Sequence, residues 1–119
     1  MQRILLAEDD DSMRRFLVRA LEKAGYQVES FGDGAEAFEC LQTQSFTMLL
    51  TDIVMPEMDG IELARRAAEI DPGMRIMFIT GFAAVALHPD NRAPKDARIL
   101  SKPIHLKDLV REVDRLLAA

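Results

Sequence analysis

Short apolar runs in this chain stop at residues able to do chemistry. Arg3-Ile4-Leu5-Leu6-Ala7 ends in Glu8-Asp9-Asp10-Asp11, and Met48-Leu49-Leu50-Thr51 ends in Asp52. Arg75-Ile76-Met77-Phe78-Ile79 ends in Thr80, and Arg98-Ile99-Leu100-Ser101 ends in Lys102. A carboxylate at the end of a buried strand can act as a nucleophile, and further carboxylates beside it can hold a hard divalent cation. Three such groups within several ångströms repel by about 4 kcal/mol per close pair at an effective dielectric of 20. The Lys102 ammonium offsets one charge. Mg²⁺, which keeps part of its hydration shell and bridges to phosphate, suits the remainder. The chemistry this predicts is phosphoryl transfer onto Asp52, with cations facing the charge that develops on the transferred oxygens. The Thr80 hydroxyl can then hydrogen-bond a phosphoryl oxygen.

These residues meet only if the chain folds so as to bring the strand ends together. The apolar runs predict strands over 3–7, 26–31, 46–51, 75–80 and 98–101. Between them, Met13, Phe16, Leu17, Ala20, Leu21 and Ala24 recur at helical spacing, with Asp10, Asp11 or Ser12 as cap and Gly25 as stop. Ala35–Gln42, Ile61–Ile70 and a last segment carrying Leu106, Leu109, Val110, Val113, Leu116 and Leu117 read as further helices. Ala37, Phe38 and Leu41 face the sheet in the first of these, and Ala64, Ala67 and Ala68 in the second. Gly81–Lys95 is the least regular stretch. Ala83–Leu87 can form a turn or two of an irregular fourth helix, bounded by Pro89 and Pro94. Strands alternating with helices imply βαβ units, hence a parallel sheet covered on both faces. The expected fold is a three-layer αβα sandwich with strand order 2-1-3-4-5, one of the two common doubly wound orders. In that order strands one and three are neighbours. Glu8 and Asp9 then lie beside Asp52, with Thr80 and Lys102 arriving from the adjoining strands.

Composition narrows the classes. The 119 residues make one domain, and 49% hydrophobic with 29% charged residues is an ordinary globular profile. A net charge of −5 argues against nucleic-acid binding. No apolar run is long enough for membrane insertion, and the N-terminus does not read as a signal peptide. Cys40 has no internal partner, reads as a small hydrophobe, and fits a reducing cytoplasm. His88 and His105 lack partners at metal-ligand spacing, and the methionines read as core and loop filler.

Together, Glu8-Asp9, Asp52 within Asp-Ile-Val-Met-Pro-Glu-Met-Asp-Gly, Thr80 and Lys102-Pro103 resemble the receiver domains of bacterial two-component response regulators. The resemblance runs from Ile4 to Leu117 and implies a flavodoxin-like, CheY-like fold spanning 1–119 as a single receiver domain with no output domain. It implies that Asp52 accepts a phosphoryl group from a histidine kinase or histidine phosphotransferase. Mg²⁺ would be bound by Asp9, Asp52 and the backbone carbonyl of Val54, with Glu8 assisting. Thr80 and Lys102 would sense the phosphoryl group, and the Lys102–Pro103 bond would be cis. Receivers commonly carry an aromatic residue where this chain has Ile99, and Phe82 is the candidate substitute.

Met13-Arg14-Arg15-Phe16-Leu17-Val18, the 78–89 stretch and Leu116-Leu117-Ala118-Ala119 resemble, within the family, single-domain regulators of cell-cycle proteolysis. This implies a phosphorelay component whose unphosphorylated form is an adaptor for the ClpXP protease and its substrates. The Ala118-Ala119 end resembles a protease recognition tag, against which stands an ordinary frayed terminus. Other functions fit less well. A phosphate shuttle or sink has the same site. A small aspartyl-nucleophile phosphotransferase needs a cap or substrate pocket, for which no insertion is visible, so enzymatic activity is expected only as self-catalysed phosphotransfer and dephosphorylation at Asp52. A flavin carrier needs a phosphate-cradling loop after strand one, where this chain is acidic. A receiver that never takes phosphate is disfavoured by the intact set of site residues.

Overall fold

The computed structural model describes residues 2–81 and 92–118. Its elements are β1 (Arg3–Ala7), α1 (Asp11–Lys23), β2 (Gln27–Phe31), α2 (Gly34–Thr43), β3 (Met48–Thr51), α3 (Gly60–Ile70), β4 (Arg75–Thr80), β5 (Arg98–Ser101) and α4 (Leu106–Leu117). All strands pair in parallel in the order β2-β1-β3-β4-β5, as expected. The expected helix over 83–87, with Phe82, His88 and Pro89, lies outside the described residues.

Alternation along each strand builds the three layers, because successive side chains point to opposite faces. Ile4, Leu6, Met48, Leu50, Met77 and Ile79 pack on one face with Leu17 and Leu21 of α1 and Leu109, Val113 and Leu117 of α4. Leu5, Ala7, Leu49, Ile76 and Phe78 pack on the other with α2 and α3. Every residue of β3 is buried, which is why that run shows no polar alternation. Each fully buried leucine contributes roughly 1.5–3 kcal/mol relative to exposure. On α3 the sheet-facing residues include Ala64 and Ala67, so this helix can pack close to the sheet.

Aspartates start three of the helices. The side chains of Asp10, Asp33 and Asp59 each accept at 2.8 Å from the amide three residues on, and each such cap contributes about 1 kcal/mol. The α1 cap is therefore Asp10, one of the residues expected in that role; Asp11, also expected to cap, is the first helical residue. Phe16 also departs from expectation. It is 52% exposed, because the buried stripe of α1 is narrower and runs through Leu17 and Leu21; Ala24, at the helix end, is exposed too. Gly25 at φ +106° takes the left-handed stop. Phe46 is buried ahead of β3 instead of within it, with the Arg3 guanidinium over its ring. Cys40 is buried, and burial pushes its thiol pKa up. Ile99 on β5 is half-buried against the α2 and α3 side of the core.

Tyr26 ties the start of β2 to α4 by donating its hydroxyl to Asp114. Burial, then this hydrogen bond and the carboxylate charge, push its pKa up from 10 to about 12. A raised folded value means that stability present below pH 10 is lost as pH climbs toward 12. The chain has one tyrosine and no tryptophan, so phenolate absorbance reads this group alone. Its titration midpoint is expected near 12 and should fall in Asp114→Asn; a wild-type midpoint at 10 would contradict the contact.

Candidate functional site

The C-terminal ends of β1 and β3 lie side by side, with Ala7 paired to Thr51. The chain continues from there into Glu8-Asp9 and Asp52, which places their carboxylates at the point where connections leave for opposite faces of the sheet. One oxygen from each of Glu8, Asp9 and Asp52 lies within 4.8 Å of the others. Glu8 is 1% and Asp52 8% exposed, whereas Asp9 is open to solvent. Lys102, entering from β5, spans the two buried acids: its Nζ donates to Glu8 Oε1 at 3.1 Å and to Asp52 Oδ2 at 3.0 Å. Its backbone amide donates to the carbonyl of Thr80 at 2.8 Å, joining the β4 and β5 ends. Thr80 is fully buried at that rim. The Lys102–Pro103 bond is cis.

Asp52 is held at both oxygens. Oδ1 accepts from the Ile53 amide at 2.7 Å while Oδ2 faces Lys102. Its own amide extends the ladder to the Ala7 carbonyl, and its carbonyl accepts from the Thr51 hydroxyl at 2.7 Å. The loop beyond is tight. The Met58 amide reaches back to the Pro56 carbonyl across Glu57 at φ +68°, a γ-turn with a left-handed centre. The Gly60 amide closes the loop on the Ile53 carbonyl. A Cβ on Gly60 would lie 1.8 Å from the Asp52 carbonyl oxygen, and one on Gly34 would lie 2.1 Å from the Met58 carbonyl oxygen. Both helix starts thus press on the loop that carries Asp52. Val54, in that loop, has an exposed side chain.

The electrostatics follow from burial. Loss of solvation raises the Glu8 carboxyl above its ordinary value and Asp52 adds to the rise; hydrogen bonds from the Asp10 amide and Lys102 oppose it. For Lys102, burial works against the charge, but the bonds to Asp52 and Glu8 prevail and its pKa is raised. Three carboxylates and one ammonium leave a deficit of positive charge. The donor set is all oxygen, which matches Mg²⁺ and disfavours softer metals.

Of the residues the sequence singled out, Glu8, Asp9, Asp52 and Lys102 come together, and Thr80 shares their rim. Arg14 was not singled out. Its guanidinium donates to the Glu8 carbonyl at 2.8 Å and to Asp11 Oδ1 at 2.6 Å. The signal available was its position one turn into α1, on the flank facing the acidic turn.

Comparison with known proteins agrees with this geometry. The family model for the response regulator receiver domain matches residues 4–114. The response regulator receiver protein CpdR of Brucella abortus is 71% identical over 119 residues, covering 100% of this chain and 99% of that protein. The sensor kinase CckA of the same organism is 36% identical over 118 residues, which span 96% of this chain and 12% of the kinase. Among solved structures, a response regulator receiver protein from Sinorhizobium medicae superposes with a TM-score of 0.90 at 37% identity, covering 99% of this chain and 95% of that one. On fold, rim and sequence alike, the chain belongs to the response regulator receiver domains of two-component systems.

Proposed function

We propose that this chain is a phosphorylation-controlled interaction module, a single receiver domain whose own surface carries the signal. Asp52 takes a phosphoryl group from a phosphohistidine on a histidine kinase or histidine phosphotransferase. The observation that carries this reading is the pair of contacts that Lys102 makes to Asp52 and Glu8 across the rim. Asp52 Oδ1 is fixed by the Ile53 amide, so Oδ2 is the oxygen that attacks phosphorus. Lys102 must then turn from the carboxylate to a phosphoryl oxygen, and the Thr80 hydroxyl takes another. Glu8, Asp9, Asp52 and the Val54 carbonyl would hold Mg²⁺, with which the all-oxygen donor set and its negative charge agree. When bound, the metal supplies charge that offsets the incoming phosphoryl oxygens. Self-catalysed hydrolysis at Asp52 resets the switch.

The full-length similarity to CpdR supports a regulator of that kind, and we assign it a cytoplasmic adaptor role toward the ClpXP protease, active when unphosphorylated. No helix among the described residues is long and apolar enough to cross a membrane. Adding beryllofluoride with Mg²⁺ is expected to shift amide resonances around Asp52, Thr80 and Lys102, and to shift none in Asp52→Ala. Equal shifts in both proteins would overturn the assignment of Asp52. Substrate turnover by ClpXP should rise with the unmodified protein and fall on phosphorylation; the opposite sign would overturn the adaptor role.

A further inference from the structure

We infer that Arg14 is a positioning residue for the acidic turn: by holding the backbone between Glu8 and Asp11, it sets the affinity of the rim for Mg²⁺. This rests on the reading of the rim as a Mg²⁺ site. The turn between β1 and α1 carries two of the three clustered carboxylates, and one of them, on Asp9, is solvent-exposed. An exposed ligand on a turn binds well only if its backbone is fixed beforehand, since otherwise binding must order it. The Arg14 fork supplies that fixation from two sides, through the Glu8 carbonyl at 2.8 Å and Asp11 Oδ1 at 2.6 Å. These anchors bracket Asp9 and Asp10. Beyond it lies Gly32, where a Cβ would come 3.2 Å from the Arg14 Nη1; the absence of a side chain there leaves room for the guanidinium. The other ties hold one end at a time: the Glu8 amide on the Phe31 carbonyl at 3.0 Å and Lys102 on Glu8 Oε1, the Asp10 amide on Glu8 Oε2 at 3.2 Å, and the Asp10 cap on Met13. Arg14 alone bridges the two ends of the turn among these bonds.

Charge and geometry predict opposite effects. If Arg14 acted only as a nearby cation, removing it would tighten Mg²⁺ binding. If it positions the turn, removal weakens binding. Lysine separates the two further, because it keeps the charge but is a single point donor without the planar fork. Supporting groups behind metal ligands typically change affinity by 10- to 100-fold when lost. Mg²⁺ affinity should be measured by amide-shift titration on wild type, Arg14→Lys and Arg14→Gln, well below each unfolding midpoint. The expected result is a loss of about 10-fold in Arg14→Gln and a smaller loss in Arg14→Lys, with Glu8 to Asp11 amides shifted before metal is added. Should Arg14→Gln fail to fold, Arg14→Lys decides: unchanged or tighter binding overturns the inference, weaker binding supports it. A wild type that binds no Mg²⁺ would instead overturn the metal reading beneath it.

Discussion

Gly60→Ala is expected to destabilise the protein by about 3 kcal/mol, lowering the unfolding midpoint by roughly 10 °C for a chain of this size. The direction is informative because helix propensity predicts the reverse: alanine in a helix is favoured over glycine by about 1 kcal/mol. At Gly60 the added methyl would lie 1.8 Å from the Asp52 carbonyl oxygen, 2.8 Å from its carbon and 3.0 Å from the Ile53 Cα. All three are backbone atoms, so no side-chain rotation relieves the clash. Either α3 moves off the sheet or the Asp52 loop is displaced, and both disturb the rim. Thermal and denaturant unfolding of the variant test this. A variant as stable as wild type would show that α3 does not start against Asp52.

Lys102→Met is the second large effect. It leaves Glu8 and Asp52 facing each other without the ammonium that both now accept from. Removing one member of a buried ion pair costs about 3–5 kcal/mol. The Lys102 side chain is 27% exposed, so solvent screening reduces the expected loss at neutral pH to about 2 kcal/mol. The sign of the pH dependence follows from Glu8. Its folded pKa is already raised, and losing Lys102 raises it further. Stability from such a group is present below its unfolded pKa and lost as pH rises through the folded one. The deficit of Lys102→Met relative to wild type should therefore shrink as pH falls through the carboxylate range. Added Mg²⁺ should also restore part of it by binding the folded state. Phosphorylation from a small donor should slow about 100-fold, the usual cost of losing one preorganised donor to developing charge. Denaturant unfolding at acid and neutral pH, with and without Mg²⁺, checks the first part, and single-turnover rates check the second. A deficit that stays constant with pH would contradict the pairing of Lys102 with Glu8.

The sheet and the ends of its strands were legible because each rests on a local pattern. The runs at 3–7, 75–80 and 98–101 became β1, β4 and β5 with those limits. The Asp52 rim was legible because strand ends in a parallel sheet share one edge, so four separate motifs had a common destination. Three things were not legible, and each depends on contacts between distant segments. Phe16 satisfies helical spacing, yet whether a flank of α1 is covered depends on how α4 lies beside it. Glycine at position 60 is required by the approach of α3 to the Asp52 carbonyl, a contact that no local pattern shows. The role of Arg14 was hard to read for the same reason, since its position one turn into α1 is a weak signal until the carbonyl it meets is known.

We assign Asp52 as the phosphoacceptor. The most direct test is to incubate wild type and Asp52→Asn with Mg²⁺ and a small phosphodonor, then measure intact mass and locate any adduct by fragmentation. Wild type should gain one phosphoryl group, on Asp52, only when Mg²⁺ is present, and Asp52→Asn should gain none. An equal adduct on Asp52→Asn, or a wild type that binds Mg²⁺ and stays unmodified, would contradict the account.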